Sequence, residues 1–335
     1  MSTRLHGDTL TRPGMLDFAV NVWPGERPAV LEHALTAALA RSDAYPEERA
    51  ARQAMAARHG RNADEVLLTN GACEAFWLLA HALRPALAVC VQPSFSEPEQ
   101  ALRAAGCEVR HVLREPAGWT FASAAVPDAA DIVVVGNPNN PTGSLDRHEP
   151  IAALARPGRL LVVDESFMDF VPAEDASLAR RGDLPGLVVV RSLTKLWGLA
   201  GIRAGYLLAP VALVEQLMAQ RQPWSVNSLA CAALVTCAAD RATPARVAAE
   251  VAAARAELSA ALAALPGIHV WPSQTNFLLL RVADGSRVVA ALHERGIAVR
   301  PAGTFPGLDA NHIRVAVRTP GDNAVLVDAL EELLA

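Results

Sequence analysis

Between residues 65 and 191 the chain repeats one pattern. A short apolar, often β-branched run is followed by a stretch with helical spacing. EVLL (65–68), LAVCV (87–91), DIVVVG (131–136), RLLVVD (159–164) and GLVVVR (186–191) are the apolar runs. Their continuous hydrophobicity predicts strands buried on both faces, as in a largely parallel sheet. PEQALRAAG and the stretches around 75–84 and 147–155 read as crossover helices. This alternation fills about residues 60–210. Beyond it, 227–264 is Ala-rich and helical. The tail offers NFLLLRV, a helix near 286–296, GIAVRP, HIRVAVR and a final helix near 321–334. The predicted fold class is α/β. An irregular arm over 1–27 precedes a large α/β domain with a mostly parallel sheet over 28–215. A smaller α+β domain follows over 216–335.

Bulk composition narrows the function classes. The 335 residues suffice for about two domains. No apolar run reaches the ~18 residues of a membrane-spanning helix. MSTRLHGDTLTRPG has no apolar signal core, so a cytoplasmic protein with no membrane partner is expected. Five cysteines, an odd number without a C-x-x-C pair, read as reduced thiols rather than disulfides or a metal site. Net charge is −5 with no basic block, which argues against a nucleic-acid partner.

One charge stands apart. Of 30 Lys and Arg residues, Lys195 is the sole lysine. An amine can lose its proton when desolvated and can form a Schiff base with a carbonyl; a guanidinium does neither. The neighbours of Lys195 suggest pyridoxal 5′-phosphate as the carbonyl partner. Ser192 and Arg203 are phosphate donors at close spacing. In TNGACEAFWLLAHAL (69–83) a strand turns at Asn70-Gly71 into a helix whose first N–H groups can hold phosphate. Asp164 ends an apolar strand, where a carboxylate can face a pyridine nitrogen at the carboxyl edge of the sheet. VGNPNNPTG (135–143) is a rigid turn with asparagines placed to reach a ligand. RLLVVDE also has the form of a nucleotide-hydrolase strand, but no G-x-x-x-x-G-K-[ST] loop accompanies it. No G-x-G-x-x-G follows the first strand either.

NPNNPTG (137–143), VVDESF (162–167) and SLTKLWGLAGIRAGYL (192–207) together resemble the fold-type I pyridoxal-phosphate-dependent aminotransferases, over nearly the whole chain. The resemblance implies that Lys195 forms the Schiff base with the cofactor and Asp164 pairs with its ring nitrogen. Asn140 would bond the ring hydroxyl and Phe95 would stack on the ring. Ser192, Arg203 and the N–H groups of Ala72 and Cys73 would hold the phosphate. Tyr45 would reach the cofactor phosphate of a neighbouring subunit, which implies a homodimer with shared sites.

Two branches of that superfamily compete. HG (6–7), LDFAVNVWP (16–24), QPWSVNSLA (222–230) and PGLDANHIRVAVR (306–318) look like threonine-phosphate decarboxylases, the branch serving cobalamin synthesis. Histidinol-phosphate aminotransferases usually carry DEAY where this chain has DESF, so Phe167 lacks the tyrosine hydroxyl. Cys73, in place of a hydroxyl residue, and a shorter arm depart from the decarboxylases. Arg300 and Arg314 resemble the substrate-anion arginines, whose forks suit carboxylate and phosphate. His6 and Asn21 are candidates for clamping the substrate. The expectation is decarboxylation of threonine phosphate, with amino transfer from a phosphorylated amine such as histidinol phosphate as the alternative. A non-catalytic cofactor-binding regulator would call for a DNA-binding helix-turn-helix or a basic segment, and neither is present.

Overall fold

A computed structural model describes residues 5–334; the first four residues of the expected arm lie outside the described residues. The chain begins with a two-residue strand, β1 (Leu16–Asp17), and two helices, α1 (Ala29–Leu39) and α2 (Arg49–His59). Next come β2 (Val66–Asn70), α3 (Ala72–Leu83), β3 (Leu87–Gln92), α4 (Glu97–Ala104), β4 (Glu108–Leu113) and β5 (Ile132–Gly136). They are followed by α5 (His148–Ala152), β6 (Leu160–Asp164), β7 (Leu187–Ser192) and β8 (Ala204–Leu208). These strands form one seven-stranded sheet in the order β2-β8-β7-β6-β5-β3-β4. It is parallel except for β8, which runs against both of its neighbours.

All five apolar runs read from the sequence are strands of this sheet. Their residues are buried because helices cover both faces: Val133, Val135, Val163 and Val189 pack into one core and Val134, Val162, Val188 and Val190 into another. Two strands escaped the pattern. β4 lies at the sheet edge and carries exposed Glu108, Arg110 and His111, so it lacks a continuous apolar run. β8 (AGYLL) is fully buried, but it opens on Ala-Gly and lacks β-branched residues.

Three helices then follow: α6 (Val211–Gln220), α7 (Ser228–Ala239) and α8 (Ala242–Ala264). The division expected at residue 215 falls inside α6, whose Leu213, Val214 and Leu217 belong to a core of the large sheet. The long helix α8 carries the passage between cores. Its Val247 and Val251 join the large-sheet core, while Ala254, Leu258 and Leu262 join the next one. That second core is built on β9 (His269–Val270), β10 (Phe277–Arg281), α9 (Gly285–Glu294), β11 (Ile297–Ala298), β12 (Arg300–Pro301), β13 (His312–Ala316) and α10 (Pro320–Leu334). β12-β13-β10-β9 is an antiparallel sheet.

The arm is more ordered than its sequence suggests. β1 pairs in parallel with β11, and Phe18 is fully buried in the second core. Arg318 donates through its guanidinium to the carbonyl oxygens of Asp17, Val20 and Val22. A backbone with no regular ladder of its own thereby finds partners, as buried peptide groups require.

Candidate active site

The carboxyl ends of β2, β6 and β7 and the start of β8 lie at one edge of the sheet, and open α/β sheets bind ligands outside the carboxyl ends of their strands. β7 ends at Ser192, and the loop 193–203 leads back into β8. Lys195 sits on this loop. Its carbonyl oxygen accepts from the Trp23 N–H at 3.0 Å, which ties the arm to the lysine segment. The lysine, half-buried, lines a cavity of about 590 Å³ together with Cys73, Phe95, Asn140, Arg203 and Thr194. Its Nζ lies 5.7 Å from the centre of the Phe167 ring. Burial, reinforced by the Arg314 cation, lowers the Lys195 pKa to about 8. An amine in that range supplies a nucleophile and a proton acceptor near neutral pH.

Asp164 stands at the end of β6. Its Oδ1 accepts from the N–H and the hydroxyl of Ser166, at 3.0 and 2.6 Å. Burial raises its pKa, against the opposing pull of the Ser166 bonds and of Lys195. A desolvated carboxylate of this kind is stabilised by a cationic or N–H partner. A protonated ring nitrogen is such a partner.

The anion cradle is built by close backbone approach. α3 starts at Ala72 after Gly71, which has φ +73° and no side-chain cap. A Cβ on Gly71 would lie 2.4 Å from Arg203 Nη2, and one on Gly205 would lie 2.7 Å from the Gly71 carbonyl carbon. Glycine at both positions lets the Arg203 guanidinium reach the helix N-terminus. Arg203 itself adopts φ +60°, an uncommon left-handed conformation for a residue with a Cβ. The hydroxyl of Ser192 donates to Thr194 Oγ1 at 2.8 Å. Thr194 was not singled out in the sequence, although its hydroxyl faces the same cavity. Burial raises the Cys73 thiol, with Glu97 adding to the effect, so Cys73 stays protonated at neutral pH.

The opposite wall comes from the arm and the second sheet. Register pairs Arg300 of β12 with Arg314 of β13. Arg300 donates to the Leu5 carbonyl oxygen at 2.6 Å and to Thr304 Oγ1 at 3.0 Å. Arg314 donates to Asn140 Oδ1 at 2.5 Å and to the Ala19 carbonyl oxygen at 2.7 Å. Burial lowers Arg300 to about 10; burial and then the Arg300 cation lower Arg314 to about 9. A guanidinium does not give up its proton in this range. The shifts express cations whose neighbours, mostly neutral carbonyls, compensate them poorly, and an anion in the cavity would restore the balance. Arg314 Nε and Asn21 Oδ1 are both buried without a hydrogen-bond partner. Orphaned polar atoms of this kind, on two residues that line the cavity, fit a ligand that carries both donors and acceptors.

Most of the residues expected from sequence therefore meet in one place. Lys195, Cys73, Phe95, Asn140, Arg203, His6, Asn21, Arg300 and Arg314 line the cavity, while Asp164, Ala72, Phe167 and Ser192 stand behind that lining. Phe167 is buried and meets Phe277 edge-on at 5.1 Å. Tyr45 is separate. It is 76% exposed, stacks on Trp224 with ring centres 4.5 Å apart, and contributes nothing to its own chain's cavity. Sequence reading overlooked Glu97, which is buried in the first turn of α4 and bonds His6, and Arg318, which holds the arm. Arg318 closes the run HIRVAVR, where its charge after apolar residues could have marked it; no such signal surrounds Glu97.

Residues 13–330 match the family model for aminotransferase class I and II. The chain belongs to that family. It is 45% identical to a histidinol-phosphate aminotransferase of Mycobacterium tuberculosis, covering 99% of this chain and 91% of that protein. It is 34% identical to a threonine-phosphate decarboxylase of Salmonella typhimurium, covering 96% of this chain and 91% of that one. Among solved structures, the L-threonine-O-3-phosphate decarboxylase of Porphyromonas gingivalis superposes with a TM-score of 0.87 at 30% identity, covering 95% of this chain and 98% of that one. The fold is that of a fold-type I enzyme, and the cofactor of this aminotransferase class I and II chain is pyridoxal 5′-phosphate. None of the described helices is long and apolar enough to cross a membrane.

Proposed function

We propose that this enzyme transfers the amino group of a phosphorylated amine, histidinol phosphate or a close relative, to a 2-oxo acid. The carrying observation is a desolvated lysine beside a buried carboxylate, in a cavity whose far wall holds two poorly compensated arginines. Bound pyridoxal phosphate supplies an electron sink at the substrate's α-carbon. The protein's own residues do the rest. Lys195 would hold the cofactor, and its amine is placed to take and return a proton at the substrate's α-carbon. Asp164 keeps the ring nitrogen protonated. Asn140 and Phe95, which line the same cavity, would hold the cofactor's ring. Arg203, Ser192 and the N–H groups of Ala72 and Cys73 hold the cofactor phosphate. Arg300, Arg314, Asn21 and His6 receive the substrate's anionic end. Orientation decides which bond breaks, because only the bond held perpendicular to the ring is labilised. Tyr45, exposed on its own chain, is free to serve a second copy in a homodimer.

Sequence motifs alone ranked decarboxylation first. The relative at 45% identity supports the reverse order over the one at 34%. Decarboxylation of threonine phosphate remains the second reading, favoured by Phe167, which offers no hydroxyl beside Lys195. One experiment separates them. The holoenzyme is incubated with histidinol phosphate and 2-oxoglutarate and assayed for glutamate, and in parallel with L-threonine O-3-phosphate and assayed for CO₂. Glutamate is the expected product; CO₂ alone would establish the second reading.

A further inference from the structure

Glu97 is a buried carboxylate at the mouth of the cavity, in a wall otherwise rich in cations. It stands at the first residue of α4, where the helix dipole favours negative charge. Its Oε1 accepts from His6 Nε2 at 3.0 Å, and its Oε2 accepts from Trp77 Nε1 at 3.2 Å. His6 and Glu97 both line the cavity with Arg300 and Arg314. The neighbouring residue of the arm, Leu5, is gripped through its carbonyl by Arg300. The arm at residues 5–6 is thus held between Arg300 on β12 and Glu97 at the start of α4. The Phe95 ring, 6.1 Å from the His6 ring, closes the side nearest the cofactor.

This arrangement has a definite chemical effect. An ionised carboxylate only accepts, so the Nε2 atom of His6 must carry its hydrogen towards Glu97. The Nδ1 atom is left for a ligand. With Nε2 held by the carboxylate, Glu97 sets which edge of the His6 ring is free for a ligand. We propose that Glu97 is a positioning residue that acts through His6 to set the affinity of this enzyme for the phosphate group of its substrate. This rests on the reading of the cavity as a site for a phosphorylated amine.

The test is a double-mutant cycle on the holoenzyme. Inorganic phosphate, titrated calorimetrically, is the probe, because with cofactor in place the remaining phosphate subsite is the substrate's. Glu97→Gln keeps the shape and an oxygen acceptor but removes the charge. It is expected to weaken phosphate binding about tenfold, as does His6→Ala. In the His6→Ala background Glu97→Gln should cost less than twofold. Additive losses, or unchanged phosphate binding in Glu97→Gln, would overturn the proposal. Cofactor absorbance and melting temperature, unchanged in Glu97→Gln, separate this role from simple support of α4. With turnover, KM for histidinol phosphate should rise in Glu97→Gln with kcat nearly constant, and KM for unphosphorylated histidinol should not move. An equal rise for both would mean that Glu97 only docks the arm. If neither phosphorylated substrate reacts with the wild type, the functional reading falls, while the phosphate titration still decides the role of Glu97.

Discussion

The two walls of the cavity are built on different principles. The wall bearing Lys195, Asp164 and Arg203 is built from strand ends of one sheet and the short loop 193–203 between β7 and β8, with ladders on either side. The wall bearing Arg300, Arg314 and His6 joins the arm to residues nearly 300 positions away, largely through arginine-to-carbonyl bonds. The first wall suits one unchanging cofactor. The second can exchange neutral carbonyl partners for a substrate anion. On the proposed reading, a rigid half and an exchangeable half in one pocket would separate cofactor retention from substrate choice.

Substitutions should divide along that line. Lys195→Ala removes the covalent anchor and the proton carrier, and kcat should fall by about 10³-fold or more with either substrate. Residual turnover close to wild type would mean that the chemistry lies elsewhere. Arg314→Met should lower kcat/KM about 100-fold, through lost charge-assisted bonds, while the cofactor stays bound. Loss of cofactor in this variant would break the division between the walls. Attachment of pyridoxal phosphate to Lys195 in the apoprotein should also depend on pH. The lysine's pKa is lowered to about 8 from its usual 10.5, so the reactive neutral amine dominates above pH 8. The rate, followed by absorbance, should fall about tenfold per unit below that point. A break near 10.5 would mean that burial does not tune this amine. Arg318→Met leaves the cofactor wall untouched but releases three arm carbonyls. KM should rise several-fold and the melting temperature should drop by about 2–4 °C. An unchanged KM would show that the arm's attachment does not govern the substrate wall.

Legibility in the sequence followed the same division. Strands buried on both faces, such as β5 and β6, announce themselves because nothing polar can interrupt them. The edge strand β4 does not, since its exposed residues answer to solvent. Helices α1 and α2 went unread although Leu31, Leu35 and Ala38 are spaced for one buried face. The β-strand rhythm drew attention away from residues 28–60.

By itself the sequence marked the residues that meet around Lys195. A single lysine, an aspartate ending an apolar strand and an arginine eight residues past the lysine are local features, and local spacing survives into the fold. Only the tertiary structure decided the substrate wall. Glu97 meets His6 across 91 positions, and Arg318 meets Val20 across 298. No periodicity encodes such contacts, because their partners are backbone carbonyls and lone side chains brought together by packing of the two cores. Tertiary structure also fixed the electrostatics. The same lysine and arginines exposed to water would keep their ordinary pKa values, and desolvation between two packed sheets is what shifts them.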